Sequence, residues 1–429
     1  MIKSKVQDIK LFINEYGPIK NAELSFAPMM IFTGDSNLGK SYVNYLWYYF
    51  MSSFTSMVLS EFIASKFPTI AGDGDYSFKQ DDLRLWINQH AESFLQRLLN
   101  DSSLVCDVTF MFDLGAETIK INMEETIQKI ENSSENYALH KVTIGDSFSN
   151  VYPAIFGSED ALLFALEMYL QRSLFGRYYK AVILPPARGS LVGENFSLKS
   201  KVSGSSGLYA NFLQDYDYAL RQTWRGNVDE QFFNARMAKL VGGELETREG
   251  VQYLRLSPER SIPLSAAASS IRELSPLLFY LKNQFGLNVS FCLEEPEAHL
   301  HPKMQIDVAD LLAICLNRGY MFQMTTHSDY MMQRVNQLIK LGRLKTTDMA
   351  TFEEYAQKKG LNKDTFIYKE QIKGYYFSRE QDDSVSITQL DITDEGMPMA
   401  TFFDVVTDLS ARENDIDNLL HHKNPAEPC

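Results

Sequence analysis

The sequence predicts an α/β fold in which a mostly parallel sheet carries helices on its faces and a long helical and mixed lobe is inserted after the first helix. Short apolar runs at 29–33, 180–184, 289–293 and 320–325 have the length of buried strands. Helical sequence follows the first, third and fourth of them, from Lys40, from near Pro302 and beyond Thr325, the strand-then-helix order that parallel sheets require. The stretch 51–177 interrupts that order, with amphipathic helical sequence near 78–99 and 159–175 flanking strand-like runs at 105–114 and 117–123.

Taken in order, 6–13 and 22–26 read as a hairpin about Tyr16-Gly17-Pro18, leading into the strand at 29–33. The strand at 180–184 is closed by Pro185-Pro186, and 189–207 is a Gly/Ser-rich loop. Helical sequence resumes at 208–240, short strands are expected at 254–256 and 261–264, and a helix at 270–284. A further helix, a hairpin at 374–390 and a terminal helix complete the chain before a polar tail. The implied division is a discontinuous core of 1–50 with 178–345, the inserted lobe 51–177, and a C-terminal α/β extension 346–429.

Composition narrows the function classes. At 429 residues and 45% hydrophobic, the chain can bury a large core as one big domain or two ordinary ones. No apolar run is long enough to span a bilayer and the first ten residues lack an apolar signal core, so a cytoplasmic location is expected. Cys106, Cys292, Cys315 and Cys429 have no metal-like or redox-like pair spacing and read as reduced fillers plus a tail thiol. With 41 Lys and Arg against 55 Asp and Glu, the formal charge of −14 opposes broad capture of a phosphate backbone. Nucleic-acid contact would need a local basic patch.

The first chemical motif is Gly34-Asp35-Ser36-Asn37-Leu38-Gly39-Lys40-Ser41, a full phosphate-loop pattern between an apolar strand and a helix. Glycines let successive N–H groups and the helix N-terminus surround phosphates, Lys40 reaches the β and γ oxygens of ATP, and Ser41 takes Mg²⁺. A plain glycine turn before a helix is the bland alternative. The second motif follows the apolar strand Val289–Leu293, which delivers Glu294 and Glu295 at its carboxyl end, where ligands sit on parallel strands. Glu294 is suited to hold Mg²⁺ through water and Glu295 to orient and deprotonate an attacking water. A solvated acidic loop is the alternative here. His299 and His301 have alternate spacing but no third ligand nearby in sequence, which argues against zinc.

The strand at 321–324 ends in Thr325-Thr326-His327-Ser328. A histidine at such a strand end can donate to a γ-phosphate and report its presence, so His327 joins the candidate catalytic residues. Ser265-Ala266-Ala267-Ala268-Ser269-Ser270-Ile271-Arg272-Glu273 starts a helix with the capping-box spacing Ser270-x-x-Glu273. Ser269 and Ser270 are therefore candidate anion contacts, and an ordinary N-cap explains them equally well.

In their order along the chain, GDSNLGKS, SAAASSIREL, FCLEEPEAHLHP and TTHS, these four strings resemble the stand-alone ABC-type ATPases that include the overcoming-lysogenization-defect (AAA_15) group. The resemblance covers 12–26 and about 150 residues from Lys180 onward. It implies an ABC/SMC-type P-loop head in which two copies pair face to face, with Ser269 and Ser270 of one completing the γ-phosphate site of the other. Ile271 stands where that group usually has Gly, and Glu294 where transport cassettes have Asp. No glutamine loop is assigned. Pro185-Pro186-Ala187-Arg188 is similar to a family stretch after a strand, and Arg188 reads either as a nucleotide or neighbour contact or as a partner of surface acids. Beyond His327, Asp415-Ile416-Asp417 has Toprim-like spacing but lies in the expected terminal helix, and Asp382-Asp383 lacks the one-residue gap. Size and motif set are most similar to the ATPases of phage anti-restriction-induced (PARIS) systems. That implies a homo-oligomer, a separately encoded effector, a Toprim nuclease, and a phage-encoded trigger protein. An SMC-like DNA-repair or DNA-processing ATPase is the alternative and calls for long heptads between the motifs, which the sequence lacks. A transporter cassette would be shorter.

Overall fold

The computed structural model describes residues 8–129, 136–192, 207–221, 230–283 and 288–423. The chain opens with strands β1 (Lys10–Tyr16), β2 (Ile19–Ser25) and β3 (Met29–Gly34) and helix α1 (Lys40–Ser52). The next stretch holds α2 (Ser56–Lys66), β4 (Gly74–Lys79), α3 (Gln80–Leu99), β5 (Cys106–Met111), β6 (Thr118–Lys129), β7 (Asn136–Ile144), β8 (Phe148–Pro153) and α4 (Ser158–Phe175). After β9 (Lys180–Leu184) come α5 (Leu208–Arg221), α6 (Glu230–Val241), a meander of β10 (Glu244–Arg248), β11 (Val251–Ser257) and β12 (Arg260–Pro263), and α7 (Ser269–Asn283). The remainder is β13 (Val289–Leu293), α8 (Pro302–Asn317), β14 (Met321–Thr325), α9 (Asp329–Thr347), α10 (Met349–Lys359), β15 (Ile372–Arg379), β16 (Val385–Leu390) and α11 (Ala400–Lys423).

A nine-stranded sheet in the order β5-β1-β2-β16-β15-β3-β14-β13-β9 organises the molecule. The run β15-β3-β14-β13-β9 is parallel throughout. All five residues of β13 and of β14 are buried, as expected of strands covered on both faces. At the other end β1 pairs antiparallel with β2 and β5, and its outward positions Glu15 and Asn14 are exposed. The expected α/β class is therefore present, and the sheet runs through all three expected segments. Strand β5 of the 51–177 stretch hydrogen-bonds to β1, and β15 of the 346–429 stretch lies directly between β3 and β16.

The sequence reading missed most of a second sheet, β4-β6-β7-β8, and of the meander it lacked β10. The helix expected from Phe78 begins at Gln80 because Gly74–Lys79 is spent pairing with β6. In β6 only Ile119, Ile121 and Met123 alternate inward before the strand turns polar, so its far half carries no burial signal. The longest described helix within 51–177 is α3, of 20 residues.

Helix α1 crosses the centre of the core. Its residues from Val43 to Met51 are all buried, apolar or not, which is the pattern of a helix covered on every side. Phe50 stacks on Phe110 of β5 at 4.7 Å between ring centroids, and Trp47 meets Phe26, Phe50 and Phe110. The helix that begins at the phosphate-loop sequence is thus packed against Phe26 before the lobe and against Phe110 within it. Cys106, Cys292 and Cys315 are buried and free, while Cys429 lies outside the described residues. Among the described residues no helix is long and apolar enough to cross a membrane.

Candidate functional site

The parallel strands β3, β13 and β14 end at the same edge, and their carboxyl ends bring the sequence motifs together. Between β3 and α1 the chain passes through the left-handed region at Asn37 (φ 63°) and Gly39 (φ 83°), the alternation that makes backbone N–H nests. Gly34 has φ 128°, and a Cβ there would stand 2.3 Å from the carbonyl oxygen of Phe377 in β15. Only glycine lets the loop leave β3 against that neighbour. A Cβ on Gly39 would meet Ile19 at 3.0 Å, so the loop is fitted closely at both ends.

Lys40 Nζ donates to the carbonyl of Gly34 at 3.1 Å and to that of Asp35. Burial lowers its pKa, opposed by the nearby charges of Asp35, Glu295 and Glu294. Ser41, one residue on, donates through Oγ to Glu294 Oε2 at 2.6 Å. The same carboxylate receives Asn44 Nδ2 on Oε1 at 2.8 Å and Thr325 Oγ1 on Oε2 at 2.8 Å. Glu294 is 1% exposed. Burial raises its pKa, and the three hydrogen bonds oppose that shift by favouring the ionised form. Ser41 Oγ and the Glu294 carboxylate are the hard oxygen donors this site offers a divalent cation.

Glu295 adopts φ 43°, and its N–H donates to Thr325 Oγ1 at 3.2 Å. Thr325 therefore ties both glutamates to the end of β14. Glu295 and His327 border an open cleft of about 350 Å³ with Glu297, Gln305 and Tyr330. His327 is exposed, yet partial burial and then Lys40 push its pKa below the ordinary value, while Glu295 and Asp35 push it back. Lys40, Glu295, Asp35 and His327 thus share one electrostatic neighbourhood. Glu297 Oε1 accepts from Thr326 Oγ1 at 2.8 Å and from the His327 N–H at 2.7 Å, and Oε2 is buried without a hydrogen-bond partner.

Ser269 and Ser270 begin α7, Ser269 exposed and Ser270 half-buried. The expected capping box is not formed with Glu273. Its carboxylate instead accepts the Gly189 N–H at 2.7 Å and faces Arg188 at 3.5 Å. Neither reading of Arg188 survives: the side chain is fully buried, away from surface acids, and donates to main-chain carbonyls of Glu273, Pro185 and Glu294. His301 caps α8, its Nδ1 accepting from the Lys303 N–H at 3.3 Å, and His299 is exposed in the preceding turn at φ 62°. Asp415, Ile416 and Asp417 lie in α11 as expected.

Sequence reasoning gave no role to Asn44, Thr325 or Glu297 and gave Glu273 only that of a capping-box partner. Asn44 was findable, since it follows Ser41 by three residues on one helix face. The others act through strand ends and a helix turn whose approach no local spacing announces.

Residues 197–332 match the AAA_15 family, the AAA ATPase domain. That stretch includes Ser269, Ser270, Glu294, Glu295 and His327 and leaves out the loop at 34–41. No curated protein matches the chain. Solved structures similar to it include the SMC head bound to the C-winged helix domain of ScpA, at 13% identity and a TM-score of 0.36, covering 90% of this chain and 97% of that one. The SMC head domain from Thermotoga maritima is 12% identical with a TM-score of 0.33, covering 89% and 98% respectively. The Smc head domain with an extended coiled coil bound to the C-terminal domain of ScpA, derived from Pyrococcus furiosus, is 11% identical with a TM-score of 0.36, covering 94% and 98%. At such TM-scores the architecture is defined by the sheet order and the loop rather than by the likeness.

Proposed function

We propose that this chain binds Mg²⁺ and ATP between the 34–41 loop and the wall formed by Glu294, Glu295 and His327, and hydrolyses the nucleotide. The observation that carries the reading is the 2.6 Å contact of Ser41 with the buried Glu294, 253 residues apart in sequence and brought together at one sheet edge. Such an oxygen pair fits Mg²⁺, which when bound neutralises charge on the β and γ oxygens. Lys40, now donating to Gly34 and Asp35, exchanges those carbonyls for phosphate oxygens, and the loop amides take the remainder.

Glu295 takes the proton from a water whose oxygen bonds to the γ-phosphorus as the bond to the β-bridging oxygen breaks, leaving ADP and phosphate. His327 donates to the γ-phosphate from across the cleft, its lowered pKa favouring the neutral ring, whose N–H is the donor. Ser269 and Ser270, at the exposed start of α7, serve the nucleotide of a second copy. Purified chain with Mg²⁺ and ATP tests the core of the reading: no nucleotide binding in an equilibrium titration would overturn it.

The wider role proposed is a sensor and scaffold of an anti-phage defence complex, holding a separately encoded effector nuclease until a phage-encoded protein alters the ATPase assembly. The motif resemblance supports it, as does the net acidic charge, which disfavours direct capture of DNA. The described helices of the 51–177 lobe are too short for the coiled-coil arms that a DNA-processing head would use. A trigger must bind one assembly state more tightly than the other, because a ligand shifts an equilibrium only through differential affinity. Co-expression with neighbouring genes followed by mass analysis of the purified complex is the test. Protection from phage by this chain expressed without any partner would move the reading to direct action.

A further inference from the structure

Arg188 lies four residues past the end of β9 and folds back beneath the site. The ladder between β9 and β13 continues past Leu293 through the Glu294 N–H, which donates to the Leu184 carbonyl at 3.0 Å. The chain then turns at Ala187 with φ 54° and enters a short 3₁₀ turn at Arg188–Ser190. From there Arg188 Nη1 donates to the Glu294 carbonyl at 2.7 Å and to that of Pro185 at 3.1 Å, while Nε donates to the Glu273 carbonyl at 3.0 Å. The Glu273 carboxylate closes the arrangement from the helix side.

The fit is close. A Cβ on Gly189 would stand 2.6 Å from Glu273 Oε2 and 2.8 Å from the Glu273 nitrogen, so glycine is what allows the turn to seat on α7. A guanidinium with no exposure is costly to desolvate, and besides the Pro185 carbonyl of its own loop the fork here is held by groups belonging to two other elements, while Nη2 has no hydrogen-bond partner. One is the peptide that joins Glu294 to Glu295. The other is the first turns of α7, four residues from Ser269. Any shift of α7 along its axis is therefore carried by hydrogen bonds into the main chain at Glu295, since a planar fork cannot follow one carbonyl without moving against the other.

We infer that Arg188 is a positioning residue that ties the start of α7 to the Glu294–Glu295 peptide, so that contact of Ser269 and Ser270 with the nucleotide of a second copy is relayed to Glu295. This rests on the reading of the chain as an ATPase whose copies pair. The relay gives Arg188 a role in turnover and none in holding nucleotide within its own subunit, because it touches neither the 34–41 loop nor the cleft side chains.

The test uses the full chain and the variants Arg188→Lys and Glu273→Gln. Lysine keeps the charge but cannot span three carbonyls. In Arg188→Lys, kcat per bound nucleotide should fall by roughly tenfold to a hundredfold, the scale of a misplaced reacting group. ATP affinity should stay within about threefold, the split that marks an interaction made beyond nucleotide binding. Wild-type turnover per subunit should rise with protein concentration as copies pair, and that rise should be lost in the variant. Glu273→Gln, which keeps an oxygen for Gly189, should show a smaller change in the same direction, and it decides the matter if Arg188→Lys does not fold. Unchanged kcat in the folded variants, a parallel loss of ATP affinity, or a concentration dependence that persists would each overturn the relay. Wild-type chain that binds and hydrolyses ATP in those cases leaves the proposed function standing, and wild-type chain that does neither removes both.

Discussion

Glu297 Oε1 accepts the main-chain N–H of His327 at 2.7 Å, so the turn after β13 holds the histidine that follows β14. Burial raises the pKa of this glutamate, opposed by the His327 and Thr326 hydrogen bonds. The folded state therefore keeps a proton that the unfolded chain releases near the ordinary value of 4.5, and the stability this contributes is full below that pH. It is lost as pH rises through the higher folded value. Glu297→Gln keeps an acceptor for Thr326 and His327 without a charge to bury. Its melting temperature should gain on the wild type as pH is raised from 4.5 towards neutrality. Parallel melting curves across that range would refute the assignment of the shift to Glu297.

Lys40→Ala removes a cation that sits on the loop's own carbonyls and is the charge the reading assigns to the β and γ phosphates. ATP affinity should fall by more than about tenfold, given that charge-assisted hydrogen bonds are worth roughly 1.5–3 kcal/mol. Equilibrium titration with a fluorescent nucleotide measures it. Wild-type affinity in the variant would end the phosphate-loop assignment.

Glu295→Gln should separate binding from turnover, because the amide cannot take a proton from water while the N–H bond to Thr325 is untouched. ATP affinity should be retained and hydrolysis should slow by about a hundredfold or more. If copies pair through ATP, light scattering should find a larger species for this variant with ATP than without. A near-normal rate of phosphate release would rule out Glu295 as the base.

Gly34→Ala tests the dependence of the site on the C-terminal hairpin. The new Cβ would meet the Phe377 carbonyl at 2.3 Å from a backbone held at φ 128°. Relief requires β3 and β15 to part, at a cost of about 1–3 kcal/mol for the backbone conformation before any loss of strand pairing. The denaturant midpoint should drop, and nucleotide affinity with it. A variant as stable as the wild type would mean that β15 does not brace the loop.

What local sequence could determine was chemistry carried by short spacing. The glycines, Lys40 and Ser41 sit within eight residues, and Glu294 and Glu295 end a five-residue apolar run, so strand, turn and helix signals frame both motifs. The central parallel strands were legible for the same reason, since complete burial leaves an unbroken apolar run. The tertiary structure decided what depends on contacts between distant segments. That β15 borders β3 follows from packing two buried strands side by side, for which neither carries a local label. The partners of Glu294, the pinning of His327 by Glu297, and the burial of Arg188 against α7 are set by how a few polar groups find one another once water is excluded. An isolated arginine after two prolines reads as a surface charge. Only the fold buries it and sets Nε and Nη1 against the carbonyls of Glu273, Pro185 and Glu294, because a buried guanidinium is costly without hydrogen-bond partners.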